Sequence, residues 1–367
     1  MIKRVLCILS NMNAGGAETF LMKMYRTIDR DKYQLDFCLS VKEKGYYDEE
    51  IEALGGRIYH ITPKTESLFS FCRELRNIVE TNNYKYVLRI TANATGFLDL
   101  KIAKSAGATV CTARSSNSND EGGIVSKLGH SIGKMAFLRY IDKKIAPSDL
   151  AAIYSFGKKA YTSGEVTIIR NALDLDYYHF NRDGRLRIRK EFCVSEDAFV
   201  IGHIGRFMTQ KNHSKLVDIF CEIQKETENA MLLLVGNGEL EADIRKKVNL
   251  LGLDNHVIFA GLRRDVPDIL SAMDVLIMPS LYEGMPNTVI EAQATGLPCV
   301  ISDTITREAN ITGLVDYISL DDPLETWVKE ASHYRDMTRE DTKQKMISSG
   351  YDINNTAKLF INTVFDE

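Results

Sequence analysis

The chain has 367 residues, 44% of them hydrophobic and 26% charged, the make-up of an ordinary soluble globular protein long enough for two domains that each bury a substantial core. A net charge of −4 argues against a dedicated nucleic-acid binder, and the apolar run after the basic start Met1-Ile2-Lys3-Arg4 is too short for a secretory signal. No later run reaches membrane-spanning length, so the chain is expected in the cytoplasm.

In chain order, strand-length apolar runs alternate with amphipathic segments of helical length. The first half offers strands at 5–9, 35–39, 57–61, 86–90, 109–112, 144–146 and 166–169, with helical patterns at 18–28 and 68–80 between them. The second half repeats the alternation, with strands at 199–204, 231–235, 257–259, 275–278 and 299–301 and helices at 214–226 and 240–251. Two successive β/α series predict an α/β fold of two doubly wound, Rossmann-like parallel sheets. The polar, aperiodic stretch 171–185 marks the boundary, giving domains over 1–175 and 176–350. A last helix over 351–365 carries Ala357, Phe360, Ile361 and Val364 at core spacing. The seven cysteines are odd in number, scattered and without a CxxC, which predicts reduced core residues and no metal spacing.

In such sheets ligands bind at the carboxyl ends of strands, so the loops there are the places to search. The first is Ser10-Asn11-Met12-Asn13-Ala14-Gly15-Gly16-Ala17-Glu18, whose paired glycines let a backbone approach a phosphate. A tight turn without a ligand is the competing reading, and the GxGxxG of a dinucleotide site is absent. Further along, the loop from His203 to His213 sets Arg206 and Lys211 on one strand-to-helix turn, a planar fork and a mobile point charge suited to a diphosphate, or else two surface cations. Gly236-Asn237-Gly238 and Gly261-Leu262-Arg263 repeat the strand, glycine, helix pattern. Most informative is Glu283-Gly284-Met285-Pro286-Asn287-Thr288-Val289-Ile290-Glu291, two carboxylates across a Gly-Pro turn that opens a helix. The helix is predicted to begin at Pro286, with an anion site at its end and Asn287 and Glu291 on one face. A phosphate on the helix end, Glu291 on a ribose diol and Glu283 on a sugar would suit a nucleotide-sugar. An ordinary solvated helix start is the alternative.

Taken together, Gly15-Gly16-Ala17-Glu18, Asn171-Ala172-Leu173-Asp174, Gly205-Arg206 with Lys211, Gly236-Asn237-Gly238, Gly261 and the Glu283 to Glu291 pair resemble the retaining GT-B glycosyltransferases of family GT4 over nearly the whole chain. Gly45-Tyr46-Tyr47-Asp48, Leu54-Gly55-Gly56 and Ser302-Asp303-Thr304-Ile305-Thr306 with Glu308 further resemble the EpsF-like branch of capsule and exopolysaccharide synthesis. The resemblance implies an active site in the interdomain cleft and a terminal helix that crosses back to the first domain. It implies that Arg206 and Lys211 hold the donor diphosphate and stabilise it as it leaves, that Glu291 binds the ribose and that Glu283 contacts the transferred sugar. The backbone of Gly284, Met285, Pro286, Asn287 and Thr288, together with Asn237, would line the donor, with Leu262 and Arg263 beside the base and Gly15 and Gly16 closing over the diphosphate. Charge gathering on a leaving nucleoside diphosphate is then met by cations and helix ends, so no metal and no cofactor are expected. Asp174-Leu175-Asp176 matches a metal-binding DxD but reads as chance in the linker.

Where many relatives carry a histidine, this chain reads Ala113-Arg114-Ser115-Ser116-Asn117. Arg114 becomes the acceptor-side candidate, facing a charged or phosphate-bearing acceptor, or else a loop cation. In the segment 125–145, Val125, Leu128, Ile132, Met135 and Ala136 recur at helical spacing among Lys127, Lys134, Arg139, Lys143 and Lys144. This reads as a basic amphipathic helix for an anionic leaflet, or as a helix packed on the first sheet. The function expected is transfer of a sugar, most simply from a UDP-sugar, to a saccharide acceptor that the family branch suggests is lipid-linked. A nucleotide-sugar epimerase of the same shape and a non-catalytic partner subunit remain as alternatives.

Overall fold

The computed structural model describes residues 2–13, 15–116 and 124–366, with only the backbone of 124–126. It divides into two units, Met1–Ala172 with Gly350–Glu367, and Leu173–Ser349.

The first unit holds a sheet of strands β1 (Lys3–Leu9), β2 (Tyr33–Leu39), β3 (Ile58–His60), β4 (Tyr86–Thr91), β5 (Val110–Ser115), β6 (Lys143–Ala146) and β7 (Val166–Ile168), in the order β3-β2-β1-β4-β5-β6-β7. Every described pairing in it is parallel. Helices cover both faces and bury most strand residues, polar ones such as Gln34 and Asp36 on β2 and Thr112 and Arg114 on β5 included. Along β1, Val5, Cys7 and Leu9 enter one core cluster while Leu6 and Ile8 enter the other. Helix Ile353–Val364 belongs to the first of these clusters through Ile353, Ala357, Phe360 and Val364. The Phe360 ring stands edge-on to Phe20, 6.0 Å away, and Phe365 lies 4.9 Å from Tyr33 and 5.2 Å from Tyr86.

The second unit holds β8 (Val200–Ile204), β9 (Met231–Val235), β10 (Val257–Phe259), β11 (Val275–Met278), β12 (Cys299–Ser302) and β13 (Val315–Ile318), in the order β10-β9-β8-β11-β12-β13. The chain order reverses between β8 and β11, which opens a crevice beyond the carboxyl ends of those two strands. Sequence reading missed β13, where Asp316 and Tyr317 interrupt the apolar run between Val315 and Ile318. It also passed over helix Arg182–Glu191, because the anchors of that helix are charged. Arg185 and Arg189 both reach Asp274, at 2.7 and 2.8 Å, and donate further to the carbonyls of residues 271–273 and to those of Ala272, Ser195, Glu196 and Ala198. The boundary stretch is therefore partly helical, held to the sheet by ion pairs that hydrophobic periodicity cannot reveal.

Candidate functional site

Two loops meet at the switch point of the second unit. The loop leaving β8 carries Arg206 and Lys211, and the loop leaving β11 carries Glu283 and the start of helix Asn287–Ala294. They are joined by hydrogen bonds: Leu281 N–H donates to the Gln210 carbonyl at 2.8 Å, Gln210 Nε2 to the Tyr282 carbonyl at 2.9 Å, and Asn212 Nδ2 to the Pro279 carbonyl at 3.1 Å. Across this seam Lys211 Nζ lies 2.7 Å from Glu283 Oε1, with the side chains 17% and 9% exposed. The pair sits out of bulk water, where both charges act strongly on anything brought between them. Lys211 is thus held by a carboxylate here and not free, whereas Arg206 is 65% exposed, 3.8 Å from Glu239.

Helix Asn287–Ala294 begins one residue later than the sequence predicts. Pro286, with ψ 93°, is the extended residue before the first turn, and its carbonyl accepts from Val289 N–H at 3.0 Å. No side chain caps this end, which leaves helix-start amides and the positive dipole end toward the crevice. Thr288 Oγ1 donates to the Ile204 carbonyl at 3.4 Å, fixing the helix against β8. Gly284 and Asn287 are exposed, and Met285 and Glu291 partly buried. The Tyr178 hydroxyl bonds Glu291 and is held protonated, its pKa raised by burial and by that carboxylate. Sequence reading missed Tyr178, which lies in the stretch taken for linker.

The glycine loops after β8, β9 and β10 stack on one another. Gly205 N–H donates to Val235, and Gly236 N–H to Gly261, each at 2.9 Å. Gly236 has φ +135°, and a Cβ there would stand 2.1 Å from the Gly205 carbonyl oxygen. Its glycine is required by contact between loops, a structural demand that the strand, glycine, helix pattern alone did not reveal. Asn237 and Leu262 are exposed. The Arg263 guanidinium is occupied: it pairs with both oxygens of Glu191 and both of Asp265, with Nη2 2.9 Å from each residue.

In the first unit, Gly15 is the extended cap of helix Gly16–Thr27, and no Cβ contact constrains Gly16. Arg114 is a correction. It is 2% exposed, its guanidinium stacks 3.6 Å from the Phe20 ring centre, and Nη2 donates to Asn171 Oδ1 at 3.0 Å. A side chain so enclosed cannot touch an acceptor. Among the described residues no carboxylate pairs with it, and burial lowers its pKa to about 9. Asp174 and Asp176 form a turn, Asp174 Oδ1 accepting from Asp176 N–H at 3.0 Å, while Asp176 pairs with Lys343. Among the described residues no group of three His, Cys, Asp or Glu side chains could hold a metal ion.

The basic amphipathic segment is a helix over Ile124–Phe137, then a 3-10 turn and β6. Val125 has no described side chain. The inward face of the helix is made of small and polar residues: a Cβ on Gly133 would stand 2.5 Å from the Ala94 carbonyl, and His130 Nδ1 accepts from Ala94 N–H at 3.1 Å. Leu128, Ile132 and Met135 are left outward, 60%, 55% and 88% exposed. Packing on the sheet is therefore not what that stripe does. No helix among the described residues is long and apolar enough to cross a membrane.

Residues 198–328 match the family glycosyl transferases group 1. EpsF of Bacillus subtilis (strain 168) is 32% identical over 98% of this chain and 96% of its own. CapH of Staphylococcus aureus, a capsular polysaccharide biosynthesis glycosyltransferase, is 25% identical over 85% of this chain and 84% of its own. Among solved structures, HepE of Anabaena in complex with UDP and glucose aligns over 100% of both chains with a TM-score of 0.74 at 18% identity, a likeness of fold. With this identity running through nearly the whole of both chains and two parallel sheets of the GT-B kind, the chain belongs to the group 1, GT4-type glycosyltransferases.

Proposed function

We propose that this glycosyltransferase moves a sugar from a UDP-sugar, with retention of configuration, to a lipid-linked saccharide acceptor in capsule or exopolysaccharide synthesis. The observation that carries the reading is the half-buried Lys211–Glu283 pair at the switch point, beside an uncapped helix start. In this reading Lys211 and Arg206 bind the donor diphosphate, the amides of 287 and 288 add donors to it, Glu291 takes the ribose diol and Glu283 a hydroxyl of the sugar. Breaking the sugar–phosphate bond leaves charge on the diphosphate, and the cations stabilise it without a metal. Retention follows from attack on the face the diphosphate leaves, with a donor phosphate oxygen taking the acceptor proton, so Glu283 forms no covalent bond. The name of CapH and the ligands of HepE support the pathway and the donor class.

A panel of nucleotide-sugars tests this. A UDP-sugar should raise the melting temperature, since saturation at a hundred times Kd adds about 2.7 kcal/mol, and it should be consumed only when an acceptor is present, in EDTA as in magnesium. Stabilisation by no UDP-sugar would overturn the donor assignment. Conversion of the donor without acceptor would instead mark an epimerase. Complete loss of transfer in EDTA, restored by metal, would overturn the metal-free mechanism and return attention to Asp174 and Asp176.

The exposed Leu128, Ile132 and Met135, with the exposed Lys127 beside them, suit contact with an anionic leaflet where a lipid-linked acceptor resides. Sedimentation with phosphatidylglycerol vesicles should fall about tenfold or more in the Leu128→Ser/Ile132→Ser/Met135→Ser variant, because three partly inserted side chains are lost. Equal sedimentation of parent and variant would exclude this face.

A further inference from the structure

Beneath the two-cation loop lies a buried ring stack that the reaction as described does not use. His203, on β8, is 0% exposed, and His213, first residue of helix His213–Glu226, is 3% exposed. His213 stacks on Phe207 at 4.2 Å between centres and 19° between planes, and meets His203 edge-on at 4.6 Å. His203 Nδ1 donates to the Ile277 carbonyl at 2.8 Å. A carbonyl only accepts, so in the neutral ring Nε2 bears a lone pair and no proton. That Nε2, and both ring nitrogens of His213, lie buried with no hydrogen-bond partner among the described residues. The stack and Lys211 flank Gly205 together: a Cβ placed there would stand 2.9 Å from His203 Nε2 and 3.4 Å from both Cδ and Cε of Lys211. Loop and stack are one piece, since Phe207 follows Arg206 in the chain and His213 comes two residues after Lys211.

Burial and the neighbouring Lys211 both lower the pKa of His213, to about 4, and His203 is driven down in the same direction. The floor is thus polar but uncharged. We propose that His203 and His213 are positioning residues for Lys211. The neutral stack locks the 3-10 turn Thr209–Lys211 from below, so the ammonium stands where charge develops on the leaving diphosphate, with no second cation beneath to compete for that anion. His213 contributes its ring face; His203 holds the stack to β11 through Ile277.

This inference rests on the transferase reading, and a double-mutant cycle separates the two. Turnover of a UDP-sugar by the parent protein supports the reading; its absence overturns both. With an active parent, His213→Ala should lower kcat about tenfold to a hundredfold, the effect of misplacing a catalytic group by roughly an ångström, while Kd for UDP by calorimetry changes less than threefold. His213→Phe should recover most of that loss. In a Lys211→Ala background, His213→Ala should lower kcat by less than threefold more, because the residue it positions is gone. Equal effects of His213→Ala in both backgrounds would make the stack merely structural, and failure of phenylalanine to rescue would overturn the ring-face role. Should His213→Ala not fold, His203→Asn, whose amide can still donate to Ile277, takes its place in the same cycle. Nitrogen-15 spectra of the parent should show both imidazoles neutral at pH 6, and an imidazolium there would also overturn the proposal.

Discussion

Lys211→Ala is expected to lower kcat by about a hundredfold to a thousandfold, the usual cost of removing one group that stabilises charge only in the transition state, with a much smaller change in Kd for the nucleoside. The direction follows from the division of labour in the crevice. In the proposed donor complex Glu291 and the loop around Leu262 would hold ribose and base, whereas Lys211 would face the charge that appears as the bond breaks. The substitution also strips Glu283 of its cation in a place where only 9% of its side chain meets solvent. A Lys211→Met/Glu283→Gln double variant removes that complication, since it leaves no unpaired buried carboxylate. Its kcat should remain as low as that of Lys211→Ala. Recovery toward the parent would mean that the lysine serves only to keep Glu283 in order, and single-turnover measurements with the preferred donor would show it directly.

Gly236→Ala is expected to destabilise the second unit by about 3 kcal/mol or more and to abolish most turnover in whatever fraction stays folded. Two costs combine. Alanine is disfavoured at φ +135°, and its Cβ would come within 2.1 Å of a backbone oxygen that cannot swing aside as a side chain could. That oxygen belongs to Gly205, the residue before Arg206, so relief of the clash must shift the cation loop itself. Thermal or urea unfolding of the variant reads the first effect and a donor-saturated rate reads the second. Parent-like values of both would show that the three glycine loops are not coupled. Gly107→Ala makes a useful contrast, because its φ of +102° also strains alanine while no atom lies near the added carbon.

Strands β9, β10 and β11 were legible because they are uninterrupted apolar words, and they begin and end where the sequence places them. Glycine, proline and paired charges marked the loops at the strand ends, and the structure brings two of them, those carrying Lys211 and Glu283, together. What escaped notice obeyed different rules. Helix Arg182–Glu191 is fastened by guanidinium groups to Asp274, so it carries no apolar stripe to detect. Tyr178 meets Glu291 across more than a hundred residues of sequence, a contact that no local pattern encodes. Arg114 misled in the opposite sense. An arginine at a strand end suggests a ligand, yet its guanidinium lies flat on Phe20, and nothing in the neighbouring sequence announces that stacking. Spacing identifies which element a residue occupies, while the direction of a long side chain is set by partners far away in the chain.

The return of helix Ile353–Val364 to the first core has a consequence for biosynthesis. The first unit is interrupted by the whole of Leu173–Ser349, while the second is continuous. Translation therefore delivers everything the second unit requires before it delivers the last piece of the first. At about 5 to 20 residues per second the ribosome needs roughly ten to thirty seconds to make that intervening stretch. Throughout this interval Phe20, Tyr33 and Tyr86 lack Phe360 and Phe365, the rings that cover them in the finished molecule. The unit begun earlier is the one completed later, and the nascent chain carries an uncovered aromatic surface until Phe360 and Phe365 emerge.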